Sequence, residues 1–144
     1  MRYAFIAALG LLVTACSSAP PPQVQAGEVC FRCKRAITEP KLGVQLITTA
    51  GQTSTFRTPG CLAKYLKDHA KEAKEVYVTD YATGRMIPVS RATFVRAKID
   101  QETGERDFYA FGNVTDAVNL AKDVTGTVVD WSSVRSMVGS EKGD

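Results

Sequence analysis

Between residues 43 and 131 the apolar and polar positions run through one pattern twice. Residues 43–49 read as a strand, Ala50-Gly51 as a turn, and residues 52–56 as a returning strand, which makes a hairpin. Thr58 then stands as a helix N-cap with Pro59 at the first helical position. Leu62, Tyr65, Leu66, His69 and Ala73 recur at helical spacing, while Lys64, Lys67, Asp68, Lys71 and Glu72 mostly face outward. Residues 76–81 alternate as a strand, and Ala82-Thr83-Gly84 breaks it. The second pass places strands at 93–99 and 106–111 around a polar turn at 100–104. Asn113 caps a helix, and Asp116 sits three residues later at its positive end. Val114, Ala117, Val118, Ala121 and Val124 give this helix its apolar face, and Gly126 ends it. Residues 127–131 form a last strand, 132–138 a short helix, and 139–144 fray.

The two half-repeats, about 42–84 and 92–131, each read strand, strand, helix, strand. Phe56 and Phe111 stand just before the two helices. The pattern predicts an α+β fold: a duplicated ββαβ unit with two small sheets, each packed by a helix. A single irregular α+β sheet is the alternative arrangement of the same elements. Residues 28–138 make up the domain.

The chain before the domain reads as delivery and tether. Arg2, an apolar run over residues 3–13 and Val13-Thr14-Ala15-Cys16 have the layout of a secretion signal, too short to span a bilayer as a helix, which needs ~20 apolar residues. A small-residue site ending in cysteine resembles a bacterial lipobox. That resemblance implies a signal peptide over 1–15 and cleavage before Cys16. It further implies diacylglycerol and an N-acyl chain on Cys16, several chains anchoring where one would not. An ordinary signal peptide with Cys16 a bystander is the weaker reading, because a polar stretch containing Pro20-Pro21-Pro22 follows. Residues 16–27 are expected to be an extended, semi-rigid spacer. The domain then lies in the periplasm or cell-envelope space, at the outer membrane if the cell is Gram-negative.

Charge adds little. The net charge of +3 falls to about +2 without Arg2, too weak to suggest nucleic acid, and no stripe of Lys and Arg interleaved with aromatics is present. There is no Ser–His–Asp set, phosphate-cradling glycine loop or convincingly spaced carboxylate pair, so the expectation is a protein that is not an enzyme.

The candidate chemistry lies in sulfur. Four cysteines less one lipidated leave Cys30, Cys33 and Cys61, an odd number in an oxidising compartment. One thiol is then free, or the set binds something. Cys30-Phe31-Arg32-Cys33 can place two sulfurs on one ion or close a disulfide. With Thr58 as N-cap, Cys61 is the third helical residue, where the helix dipole favours thiolate; Arg32, Lys34 and Arg35 favour it at the first pair. Thiolates select Cu(I), with Zn(II) behind it, since Zn(II) wants a fourth ligand. The one histidine, His69, lies ~12 Å further along the helix axis and reads as a packed residue. Met86 and Met137 read as packing. Asp80 and Asp130 read as turn formers. A structural disulfide among the three cysteines, or a pair that cycles between thiol and disulfide with Cys61 resolving it, remains the alternative.

With those residues in place, the chain resembles the NosL family, the copper-binding lipoproteins accessory to nitrous oxide reductase. The resemblance rests on Cys30-x-x-Cys33, Phe56-x-x-x-Gly60-Cys61-Leu62-x-x-Tyr65-Leu66, Val76-Tyr77-Val78-Thr79-Asp80-Tyr81, Ile87-x-x-x-x-Ala92-x-x-Val95 and Gly126-x-Val128-x-x-Trp131. It implies a duplicated ββαβ fold and a role as a Cu(I) chaperone serving the assembling copper sites of the reductase. Lys34-Arg35 stand where the family typically carries Gly-Met, and residues 99–108 lack the methionine expected there. If copper binds, Cys30, Cys33 and Cys61 thiolates take the place of thioethers. Tighter thiolate binding implies a different copper acceptor, or a storage or sensing role.

Overall fold

The computed structural model describes residues 19–140, so the signal segment, Cys16 and the last four residues lie outside the described residues. The ββαβ unit occurs twice. The first unit consists of β1 (Val44–Thr48), β2 (Thr53–Phe56), α1 (Pro59–His69) and β3 (Ala73–Thr79), with a short fourth strand β4 (Met86–Pro88) added after it. The second consists of β5 (Thr93–Lys98), β6 (Arg106–Phe111), α2 (Val114–Asp123) and β7 (Thr127–Val129), and a third helix α3 (Trp131–Ser140) closes the chain. Both sheets put the first strand in the middle. Their orders are β2-β1-β3-β4 and β6-β5-β7, antiparallel throughout. The duplicated architecture expected from the sequence is thus present.

Each helix start follows the expected chemistry. Thr58 has extended backbone and its Oγ1 accepts the Cys61 N–H at 3.1 Å. Asn113 does the same for Thr115 at 2.8 Å. A side-chain acceptor here satisfies a helix N–H that has no partner within the helix. Asp130 starts α3 by accepting from Ser132 and Ser133, and Asp80 builds its turn by accepting from Ala82 and Thr83.

One core joins the two units. Val44, Leu46, Phe56, Leu62 and Leu66 of the first pack with Phe94, Phe108 and Ala110 of the second and with Val134 and Val138 of α3. Tyr81, just past β3, donates its N–H to Ala110 O on β6, a direct backbone link between the units.

Several expectations change. The first helix ends at His69, and Ala73 belongs to β3 instead of the helix face. In α2, Val114 and Val124 are exposed, and Leu120 joins Ala117 and Ala121 against the sheet. The left-handed residue after α2 is Thr125, at φ 52°. Gly126 serves packing instead, since a Cβ there would lie 2.7 Å from Val95 Cγ1. The spacer is not free along its whole predicted length. Val24 is buried with Ile37, Tyr77 and Met86, seated against Gly43, where a Cβ would come within 2.7 Å of it. Gln23 donates to Gly84 O. Met86 packs in this cluster and accepts a hydrogen bond from Thr79 Oγ1, as a core thioether would. No helix among the described residues is long and apolar enough to cross a membrane.

Candidate metal centre

Three local devices bring the sulfurs together. Residues 27–37 form a small hairpin, with Val29 bridged to Ala36. Its ties include Gly27 N–H to Ile37 O, Ile37 N–H to Glu28 O and Cys30 N–H to Arg35 O. The tip turns at Lys34, whose N–H donates to Cys30 O and whose φ is 59°. That left-handed conformation suits glycine better than a residue with a Cβ. It falls at the position where the resemblance implies glycine. Lys34 Nζ donates to Phe31 O and lies 4.9 Å from the Phe31 ring centre.

The hairpin is then laid on the first unit. Phe31 donates its N–H to Thr55 O at 2.8 Å on β2. Its ring meets Phe56 and Tyr65 edge-on at 5.8 and 5.6 Å, an arrangement aromatic pairs favour. Cys30 is thereby pushed into the core, and Cys61 is presented from the first turn of α1.

Cys30, Cys33 and Cys61 have their Sγ atoms all within 4.8 Å of one another, and Cys30 Sγ lies 3.4 Å from Cys61 Sγ. All three are free thiols. Three sulfurs, each about 2.3 Å from one ion, would stand about 4 Å apart. The observed spacing fits such a site with small adjustment. His69 is not in the cluster. Its ring stacks on Tyr65 at 4.1 Å, and its Nδ1 meets Tyr65 O at 3.0 Å, so it is the packed residue its position suggested. Met137 packs against the core.

The electrostatics of two sulfurs depart from the sequence reading. Burial opposes the thiolate of Cys33, but hydrogen bonds outweigh it: the Arg35 backbone first, then the Cys30 and Cys61 thiols and the Arg35 side chain. They bring its pKa down from 9.0 to about 7. Cys61 moves the other way, raised by burial and then by its hydrogen bond and charge interactions with Cys30 and Cys33. The helix start does not rescue its thiolate, because the donors there are taken. Thr58 Oγ1 holds the Cys61 N–H, and the Asp107 carboxylate holds the Gly60 N–H at 2.8 Å. Of the two, half-exposed Cys33 is the sulfur shifted toward thiolate, and buried Cys61 is the one that holds its proton more tightly.

Asp107 was not visible as a site residue from the sequence. It reaches from β6 in the second unit, accepts the Thr58 hydroxyl at 2.6 Å and also takes the N–H groups of Gly60 and Phe108. Burial of its carboxylate outweighs these donors and the nearby Arg57 charge, raising its pKa. Gly60 is required beside it: a Cβ there would fall 2.6 Å from a carboxylate oxygen. The adjacent Pro59-Gly60 was the available signal, since glycine inside a helix start marks a close approach. Glu105 completes the surround. It pairs with Arg57 and, at 3.2 Å, with Arg35. These pairs draw its pKa down against the opposing effect of burial.

The NosL family model matches residues 21–138. The chain belongs to the NosL family. The crystal structure of the copper chaperone NosL from Shewanella denitrificans superposes with a TM-score of 0.63 at 19% identity, over 78% of this chain and 96% of that one. At that identity the match supports the NosL fold and not the site. Comparison with curated proteins finds no match.

Proposed function

We propose that this NosL-family protein is a lipid-anchored Cu(I) carrier, a metallochaperone and not an enzyme, which holds copper between the thiolates of Cys30, Cys33 and Cys61. The observation that carries the reading is the convergence of three free thiols within 4.8 Å. Thiolates are the soft ligands that select Cu(I), and Zn(II) is the less suited guest because no fourth ligand stands with them among the described residues. The copper chaperone name of the matched crystal structure agrees with it. In this reading Cys16 bears the lipid, the domain faces the periplasm or cell-envelope space, and a copper-requiring enzyme is the acceptor. Nitrous oxide reductase is the acceptor the family likeness suggests. The replacement of thioethers by thiolates favours another cuproprotein, storage or sensing.

A second reading is carried by the 3.4 Å approach of Cys30 and Cys61 Sγ, close enough for a disulfide after small movement. One experiment separates the two. The reduced, anaerobic protein is titrated with Cu(I) against a coloured chelator, with Cys30→Ser, Cys33→Ser and Cys61→Ser alongside. The carrier reading expects one tight equivalent, weakened at least tenfold by each change, an extent of ~1.4 kcal/mol or more. No competition with the chelator, together with a Cys30–Cys61 disulfide in air, supports the redox reading instead.

A further inference from the structure

Beside the sulfurs lies a recess of about 140 Å³, bordered by Cys33 and Cys61 and by four cations, Arg32, Arg35, Arg57 and Lys64. Two carboxylates also border it, and both are engaged. Glu105 is held by Arg35 and Arg57, and Asp107 by Thr58, Gly60 and Phe108. The border thus carries more cationic side chains than carboxylates. Arg57 is mostly buried, and its Nε–H is a buried donor with no acceptor. A buried donor without a partner is costly and calls for a physical reason. Arg32 is exposed at the mouth, next to half-exposed Cys33. A guanidinium presents a planar fork of donors that suits a carboxylate.

We propose that this recess is a carboxylate subsite: it holds the acid group of a small thiol-carboxylate whose sulfur exchanges with Cys33 on the metal. The exchange role rests on the copper reading above; the subsite itself does not. A volume of about 140 Å³ admits a molecule of a few heavy atoms and not a folded segment of a protein. The exchange balances without electron transfer. The incoming thiol gives its proton to the Cys33 sulfur as the copper–Cys33 bond breaks. The incoming sulfur forms a bond to the same Cu(I), and the metal leaves in the +1 state or arrives by the reverse path.

The test begins with the full chain, purified in detergent, reduced and free of metal. Iodoacetate and iodoacetamide alkylate the same sulfur and differ in one charge. Rates at Cys33 are read by peptide mass spectrometry, each normalised to the same reagent on a free small thiol. The subsite predicts a normalised preference for iodoacetate of about tenfold at low salt, shrinking as salt screens the charges. Arg32→Gln, at an exposed position, should reduce the preference about threefold, and Arg57→Gln should reduce it further. Lys74→Gln, on β3 outside the recess, should leave it unchanged. Equal normalised rates, or a preference that Arg32→Gln and Arg57→Gln do not alter, would overturn the subsite whether or not copper binds. The exchange role is then read on the copper-loaded protein as the rate of metal removal by 3-mercaptopropionate and 2-mercaptoethanol. Faster removal by the acid, lost in Arg32→Gln, supports it. An iodoacetate preference without that advantage overturns the exchange role, and so does failure of copper to bind, which also defeats the carrier reading.

Discussion

The two ββαβ units share a backbone plan and differ in what covers their helix starts. In the first, Thr58 caps α1 and the third helical residue is Cys61. In the second, Asn113 caps α2 and the third helical residue is Asp116. The start of α2 faces water: residues 112–116 are all exposed. The start of α1 is roofed by the 27–37 hairpin and braced from β6 by Asp107, and Thr58, Pro59, Gly60 and Cys61 are all buried. Duplication supplies the scaffold twice, and the site arises only where the second unit and the hairpin close over the first. A helix start open to solvent needs only its cap. A buried one must have each donor matched, and that matching fixes the cysteine.

The largest test of this contrast is removal of the brace. Asp107→Ala leaves the Thr58 hydroxyl and Gly60 N–H without their acceptor and should cost about 3 kcal/mol in denaturant unfolding, whereas Asn113→Ala at the open start should cost about 1 kcal/mol. Asp107→Asn keeps an acceptor and should cost far less than Asp107→Ala. It should also flatten part of the acid-side stability profile. The Asp107 pKa is raised on folding, so its contribution is present below the ordinary carboxylate range and is lost as pH rises through the raised value. A second contrast is steric. Gly60→Ala drives a Cβ into the Asp107 carboxylate and should cost about 2 kcal/mol, while Thr115→Ala, at the equivalent open position, should stay within about 0.5 kcal/mol. Equal losses at the two helices would remove the distinction between them.

The contrast sharpens further within the first unit, between a sulfur at its mouth and one beneath it. Cys33 should be alkylated by iodoacetamide with a pH midpoint near 7, against 9.0 for an ordinary thiol. At pH 7 its rate should exceed that of a free thiol about sixfold, the larger thiolate fraction being partly offset by lower intrinsic nucleophilicity. Cys61 should stay unreactive through this range. A midpoint for Cys33 above 8.5 would contradict the hydrogen-bond account of its shift.

What could be read from the chain beforehand follows the range of the physics involved. Thr58-Pro59, Asn113 and the alternating strands act through neighbours in sequence, and so the repeat, both caps and the duplicated fold were legible. The three cysteines could be nominated together because an odd set in an oxidising compartment cannot all pair within one chain, although a structural disulfide or a cycling pair stayed open beside metal binding. β4 escaped notice because it is three residues long and ends in Pro88. Val24 escaped because one valine in a proline-rich stretch carries no period; only the groove above Gly43 explains its burial. The thiolate preference placed on Cys61 was reversed because burial and the neighbouring sulfurs outweigh a helix start whose donors are already taken. Asp107, Glu105 and Arg57 went unselected because their partners lie about 50 residues away in sequence (47 between Gly60 and Asp107).

The proposed centre is one Cu(I) held by three sulfurs from a hairpin and a braced helix start. X-ray absorption at the copper edge of the anaerobically loaded protein tests it most directly. Such a centre should give three sulfur scatterers at about 2.3 Å, falling to two in Cys61→Ser. Nitrogen or oxygen scatterers in wild-type protein, or a sulfur count that Cys61→Ser leaves unchanged, would contradict it.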